Sequence, residues 1–558
     1  MGSQGSTAPP GGDVLLVNGQ IFQSSGEGGA SKAQFHKAML VRGGVIQHVG
    51  SEDDEPIRTA RASSSGGIPV QDLRGQTVLP GFFDGHLHIL ILGQSLAKVS
   101  LDHCKSLQDI RAAIREYAAA NPDVPRIFCK GWMHSMTPDG VDHTLLDDLD
   151  PRPIFVDTKD LHSTWVSAAA IAELGLQDTP SPEGGEIHRF ADGGRPTGLL
   201  SEAAVFNIIW PFVAAVASVE ERAEAVRQAM VAYSAAGYTG MIDMAMDENI
   251  LEAVLYLRAR WRLPLRLAAY WLVKPDADPA AHAAQVDRAA ELAALYNDRA
   301  SPDFRVVGVK VICDGIVDAC TASLTEPYAA NAKSTDPFWP PEALARVVRR
   351  ADAAGLQVAL HAIGDRTVAM VVDALEAHAS RERRPRVEHL ELASARDAAR
   401  LGALGITASV QAVHADPAIL RAWPALLGER RCGRAFAYRE FADGGATLAL
   451  GSDAPTAPHG PLANAYVATT RRSAREPGYE VAVNPHFALG LCEAVVAGTR
   501  GAAYSCFADG VTGSLEPGKR ADFVVVEMEW APEKLLGSKV LETWFDGRRV
   551  FKASSEED

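Results

Sequence analysis

The feature that most constrains this chain is an alternation. Eight short apolar runs rich in β-branched residues are separated by stretches of helical period. The runs are TVLPGFFDGHLH from Thr77, GYTGMIDMA from Gly237, LRLAAYWLV from Leu265, FRVVGVKVICDG from Phe304, LQVALHAIG from Leu356, PRVEHLEL from Pro385, ITASVQAVHA from Ile406 and ATLALGSDAP from Ala446. After the second run each gap holds one clear helix candidate, such as AAHAAQVDRAAELAALYN, PEALARVVRRADAAG or TVAMVVDALEAHAS. Eight strands with intervening helices predict a closed parallel barrel of the α/β class, a (β/α)8 TIM-type barrel whose reactive groups sit at the C-terminal strand ends.

Two regions do not belong to that alternation. The stretch from about 91 to 231 is far longer than one helix requires, and it predicts a large insertion after the first barrel strand, a lobe over the barrel mouth. Residues 13–76 and 510–553 share a texture of short strands broken by Asn-Gly, Gly-Gly, Pro and Asp. The two ends are expected to pair into one composite β-sandwich, with residues 77–509 as the barrel and 1–12 as a disordered tail. At 558 residues, 47% hydrophobic and 22% charged, the chain can bury cores of that size.

Composition narrows the partners. The formal net charge of −16 and the lack of a long basic run argue against nucleic acid. Seven cysteines, scattered and never in a CxxC spacing, suit a reducing, cytoplasmic compartment. No apolar run is long enough to span a membrane, and the N-terminus lacks the charged and apolar regions of a secretion signal. Gly2 and Ser6 satisfy a myristoylation pattern, but no basic residue precedes Lys32 to supply a second anchor, so a plain tail is the expectation.

The chemistry concentrates at the strand ends. The first run closes in Asp84-Gly85-His86-Leu87-His88, and residues two apart on a strand point to the same side, so His86 and His88 can reach one metal. An HxH pair alone is weak. However, the fifth and sixth runs end at His361 and His389, and the eighth ends in Gly451-Ser452-Asp453. Only strand ends of a barrel face a common centre, which makes these five residues a metal constellation rather than unrelated polar side chains. Lys310 lies among β-branched residues on the fourth strand. It needs a partner or a modification, because an ammonium with an ordinary pKa of about 10.4 cannot ligate a metal. An ion-paired lysine inside the barrel is the alternative, and Cys313 and Asp314 are rival ligands at the same strand end.

Taken together, LPGFFDGHLH, VGVKVICDG followed by TASLTEPY, LHAIGD, VEHLEL, LALGSDAP and GSLEPGKRADFVVVE resemble the amidohydrolase superfamily, and within it the amidohydrolase 3 branch that contains N-substituted formamide deformylase. The resemblance runs from Asn18 to about Phe551. It implies one or two divalent cations, usually zinc. His86, His88 and Asp453 would bind the first, His361 and His389 the second, and Lys310, as N6-carboxylysine, would bridge them.

The expected reaction is hydrolysis of an amide, formamide or cyclic amide C–N bond in a small organic molecule by a metal-activated water. Asp453 is the expected general base and then acid. His162 and His414 are candidate substrate contacts, Trp132, Trp165 and Tyr328 candidate apolar walls, and Asp365 a candidate to orient His361. His103, His134, His143, His188 and His459 have no spacing that ties them to the mouth. A metal-dependent decarboxylase or lyase on the same barrel is the competing reading, and retention of Asp453 argues against a non-catalytic relative. A homodimer is one assembly such a scaffold allows.

Overall fold

The computed structural model of the chain describes residues 12–26, 31–62, 68–159, 161, 163–182, 185–191 and 193–554. The lipidation pattern at Gly2 and nearly all of the expected tail lie outside them.

The eight barrel strands are Phe82–Leu87, Tyr238–Met246, Arg266–Val273, Phe304–Ile312, Gln357–Ala362, Arg386–His389, Thr407–Val410 and Leu448–Leu450, in that spatial order and all parallel. Burial on both faces explains their continuous apolar text. Closure between the last strand and the first is made by a single parallel bridge, Leu87 to Ala454. It is reinforced where Asp453 N–H donates to His86 O at 2.7 Å and His88 N–H to Ala454 O at 2.9 Å. Glycines permit this approach. A Cβ on Gly85 would lie 2.8 Å from Leu450 O, and one on Gly451 would lie 2.6 Å from the amide nitrogen of His86.

The intervening helices start where local chemistry dictates. Helix Pro279–Leu295 has proline in its first turn and the Asp278 carboxylate accepting from Ala280 N–H at 2.9 Å. Helix Ala395–Leu404 is capped by Ser394 and stops at Gly405, whose φ of +70° suits glycine. The Ser218–Glu221 capping box opens helix Val219–Ala235.

The first predicted run divides. Phe82–Leu87 enters the barrel, whereas Thr77–Pro80 joins a six-stranded sheet between Gln20–Ser25 and Phe523–Glu527, with Lys32–His36, Lys539–Phe545 and Arg548–Lys552 outside them. A four-stranded sheet of Val45–Gly50, Ala38–Arg42, Val14–Val17 and Val70–Asp72 packs against it. Their shared core contains Leu16, Ile21, Met39, Val41, Val78, Phe523 and Val525, so the two chain ends make one composite sandwich. Arg266 at the base of the barrel joins it to this sandwich, donating to Asp522 at 3.1 Å and Asp546 at 2.6 Å.

The insertion folds around its own six-stranded sheet, from Val99–Ser100 to Pro196–Glu202, with a core of Leu101, Ile110, Ile127, Trp132 and Trp165. It is narrower than the 91–231 gap. Helices Ile89–Ala97 and Val219–Ala235 pack on the barrel and on each other, so closely that a Cβ on Gly93 would sit 2.0 Å from Ala225 O. Among the described residues no helix is long and apolar enough to cross a membrane.

Candidate metal centre

The strand ends bring His86, His88, His361, His389 and Asp453 to one buried place. Asp453 Oδ1 lies 3.4 Å from His86 Nε2 and 3.2 Å from His88 Nε2. The ring of His389 is centred 5.0 Å from that of His86 and 4.3 Å from that of His361. His86, His389 and Asp453 each offer a ligand atom within 4.8 Å of the others. Despite this crowding, Asp453 Oδ1, His361 Nε2 and His389 Nδ1 have no hydrogen-bond partner among the described residues. The close approaches to Asp453 lack hydrogen-bond alignment. Buried polar atoms are normally paired, so the orphaned Asp453 Oδ1 and His389 Nδ1, in a group with ligand-like spacing, suit a ligand, whereas His361 Nε2 lies 3.7 Å from Asp314 Oδ1.

Protonation is suited to that need. Burial, with the charge of Lys310 adding to it, pushes the pKa of His86 down to about 4 and that of His361 to about 3. Burial and the neighbouring His361 drive His389 well below its usual value. Neutral imidazoles keep a lone pair. Burial opposes the charge of Asp453, but the rings of His86 and His88 outweigh it and hold the carboxyl well below its ordinary range. Neutral imidazole nitrogens with a carboxylate oxygen are a donor set that fits a divalent cation of the zinc type.

The tautomer of His86 is fixed from behind. Its Nδ1–H donates to Glu388 Oε2 at 2.7 Å, which leaves the Nε2 lone pair facing the cluster. Glu388 is in turn held by Arg386, whose Nε donates to Oε1 at 2.8 Å and whose Nη2 donates to Oε2 at 3.1 Å. Arg386 also donates to Gly85 O and to Ser409 Oγ, so the guanidinium ties the first, sixth and seventh strands under the site. Burial works against the charge of Glu388, yet Arg386 and His86 keep it ionised. Asp84 points elsewhere. It accepts from the backbone of His86 and Ser452 and from the hydroxyls of Ser452 and Tyr233, locking the first strand to the eighth.

His389 and Asp453 sit at φ values of 76° and 56°, in the left-handed region that side chains avoid. Such conformations cost about 1–3 kcal/mol each and persist where the surroundings impose them. At His389 the turn breaks strand alternation, so that it and Glu388, consecutive in sequence, both approach His86.

Lys310 is 1% exposed, and burial lowers its pKa to about 8. Among the described residues it has no hydrogen bond or ion pair, so the ion-paired alternative is not what the structure shows. Cys313 is buried with its thiol pKa pushed well up, and the Asp314 oxygens accept backbone N–H groups of Ile363, Gly364 and Ser323. Both rivals are thus engaged by protein groups, and Asp314 Oδ1 also lies 3.7 Å from His361 Nε2.

His414 stands beside the cluster. Its Nδ1 is 3.2 Å from Glu391 Oε1, its Nε2 is 3.7 Å from Asp453 Oδ2, and its ring stacks on His389 at 6.0 Å. Burial disfavours its charged form, but the hydrogen bond to Glu391 and the charge of Asp453 raise its pKa overall. His389, Glu391 and His414 form a second group with ligand-like spacing.

Other expectations need correction. Trp132 and Trp165 are fully buried in the core of the lobe, their indole N–H groups donating to Thr137 Oγ1 and Asp142 O. Tyr328 is packed in the main core with its hydroxyl donating to Ala322 O. All three are core residues rather than walls of the mouth. Asp365 binds the backbone and hydroxyl of Thr325 instead of orienting His361. His162 lies outside the described residues. The unassigned His459 stacks on Tyr233 at 4.9 Å. Sequence reasoning passed over Glu388, Arg386 and Glu391, although PRVEHLEL carries charged residues two apart in an apolar barrel strand.

The family model of the amidohydrolase family matches residues 69–551. The chain belongs to the amidohydrolase family. Protein LONG AFTER FAR-RED 3 of Arabidopsis thaliana is 29% identical over 569 residues, covering 98% of this chain and 93% of its own. N-substituted formamide deformylase of Arthrobacter pascens is 25% identical, covering 96% and 97%. In structure, an uncharacterized metal-dependent hydrolase of Pyrococcus furiosus superposes with a TM-score of 0.75 at 25% identity, covering 93% of this chain and 99% of that one. All three comparisons therefore span the sandwich, the barrel and the insertion of this amidohydrolase family member together.

Proposed function

We propose that the chain is a metal-dependent hydrolase that cleaves the C–N bond of an amide, formamide or cyclic amide in a small organic substrate. The observation that carries this reading is the buried cluster of His86, His389 and Asp453, whose ligand atoms lie within 4.8 Å of one another at the C-terminal ends of the barrel strands, with Asp453 Oδ1 and His389 Nδ1 unpaired. His86, His88 and Asp453 would hold one divalent cation, most simply zinc, and His361 and His389 a second. Lys310, a buried amine without a partner and with a lowered pKa, suits reaction with carbon dioxide to a bridging carbamate. A divalent cation supplies Lewis acidity and brings the pKa of water to about 7.

The residues around it do the rest. Glu388 and Arg386 hold His86 in the tautomer that turns Nε2 inward. Asp453, ionised and fixed between the first and eighth strands, takes a proton from the attacking water and returns it to the leaving nitrogen. His414 lies on the Asp453 Oδ2 side, where it can steady that carboxylate or donate to a substrate carbonyl. Seven unpaired cysteines support a reducing, cytoplasmic setting.

The test is elemental analysis of the purified protein together with a panel of N-formyl, N-acyl and cyclic amides. Bound divalent metal with amine release supports the reading. Metal-free protein that still turns over amides, or release of carbon dioxide in place of amine, would replace it. Native mass measurement of Lys310→Ala beside wild type tests the carbamate, which adds the mass of one carbon dioxide.

A further inference from the structure

Arg475 is a cation beside the turn that carries His414, and its side chain is held by no direct ion pair among the described residues. Asp416 lies two residues beyond His414, is 1% exposed, and accepts the N–H groups of Ala474 at 2.9 Å, Arg475 at 3.2 Å and Ala418 at 2.9 Å. This carboxylate is engaged by backbone. It pins the Arg475 segment against the turn Ala412–Ala415 that carries His414. The Arg475 side chain is half-buried, and among the described residues no hydrogen bond or ion pair holds its guanidinium. The charge of Asp416 acts on it first and that of Asp102 of the inserted lobe second, while its own charge reaches His414. The segment that carries Arg475 is thus held beside the mouth, within electrostatic reach of the lobe.

The lobe brings its own positive charge. Lys98 pairs with Asp157, and Lys159 with Asp102 at 3.0 Å. Lys130 is left over. It is half-buried, donates only to Ser95 Oγ at 3.4 Å, and its charge reaches His459 of the barrel and Asp102. Once these pairs are set aside, Arg475 and Lys130 remain without a direct ion pair among the described residues, in a chain whose net charge is −16. Partial burial of an unpaired guanidinium is unfavourable, and carboxylates are the groups that its planar fork binds in bidentate fashion.

We propose that Arg475 is the specificity-determining residue of this mouth and that the substrate is an amide carrying a carboxylate, bound by Arg475 with Lys130 as the second positive charge. This rests on the reading of the chain as a C–N hydrolase. The carboxylate end lies toward the lobe, and the scissile bond lies toward Asp453.

The test uses matched probes on the metal-loaded protein: N-formylleucine against N-formylleucinamide, and N-benzylsuccinamic acid against N-benzylsuccinamide. The wild type should favour the acid of at least one pair by more than about tenfold in kcat/KM, chiefly through KM, as a charge-assisted bidentate contact predicts. Arg475→Gln should bring that ratio close to one, Arg475→Lys should keep part of it, and Lys130→Gln should lower it less. Circular dichroism checks that each variant is folded. Calorimetric binding of the same four probes gives a readout independent of turnover. If no probe is hydrolysed but acids bind better than amides and lose that advantage in Arg475→Gln, the hydrolase reading fails and the anion site stands. Amides that match or exceed their acids in wild type, an acid preference that survives Arg475→Gln, or no binding of either acid would overturn the proposal.

Discussion

His86 Nδ1 and Glu388 Oε2 lie 2.7 Å apart in a wholly buried pair, although 302 residues separate them in sequence. The bond reaches from the first barrel strand to the sixth. It decides which nitrogen of His86 carries the hydrogen, and so which one is available at the candidate metal centre. Glu388→Gln keeps the shape and removes the charge that Arg386 and His86 share. Metal affinity should fall about 10–100-fold, as is usual when such a supporting carboxylate is lost. Competition titration against a chelating dye measures it, and unchanged affinity would remove Glu388 from this role.

Asp453→Asn separates proton transfer from folding. The amide can occupy the same space between the first and eighth strands but cannot accept the proton. Turnover should drop about 10²–10⁴-fold, the usual range for a general acid–base, while the circular dichroism spectrum stays the same. Turnover within a few-fold of wild type would exclude Asp453 as the base.

Removal of metal should be felt as lost stability as well as lost activity. The buried imidazoles and Asp453 are left with orphaned lone pairs, and a ligand present at 100 times its Kd contributes about 2.7 kcal/mol to the folded state. Dialysis against a chelator should therefore lower the thermal midpoint, and added zinc should restore both midpoint and turnover. A midpoint indifferent to the chelator would mean that these residues hold no cation.

Arg266 is the charge that joins barrel to sandwich, and its removal leaves Asp522 buried without its counter-ion. Breaking a buried pair in this way costs about 3–5 kcal/mol. Arg520 still serves Asp546, at 2.7 Å. Burial already raises the pKa of Asp522, and loss of Arg266 raises it further. A carboxyl whose folded pKa exceeds its unfolded value carries no penalty below the unfolded pKa and a growing one as pH rises through the folded value. Urea denaturation of Arg266→Met should accordingly show a smaller deficit at pH 5 than at pH 8. An equal deficit at both would place the cost in packing rather than charge.

The barrel was legible because each strand is buried on both faces and reads as an unbroken apolar run. His86, His88 and Asp453 were legible because they terminate such runs. The sixth strand was harder. Strict alternation puts Glu388 and His389 on opposite faces, and only the φ of 76° at His389 brings both toward His86, a backbone property that no residue type announces. Trp132, Trp165 and Tyr328 misled for the opposite reason. Large aromatics fill a core as readily as they line a cleft, and the insertion is large enough to have a core of its own. The Arg475 segment belongs to no regular element, so its tether to Asp416 could be found only in three dimensions.

The composite sandwich also imposes an order of events on synthesis. Val78 pairs with Ile21 on one side and with Val525 on the other. The first neighbour has already been made when Val78 leaves the ribosome, whereas the second arrives only after every barrel strand has been translated. Throughout that interval Thr77–Pro80 presents an open apolar edge, the kind of surface on which nascent chains associate. The sandwich is thus completed after the barrel strands have been translated, and pairing with Phe523–Glu527, rather than assembly of the barrel, is the step at which this edge ceases to need protection.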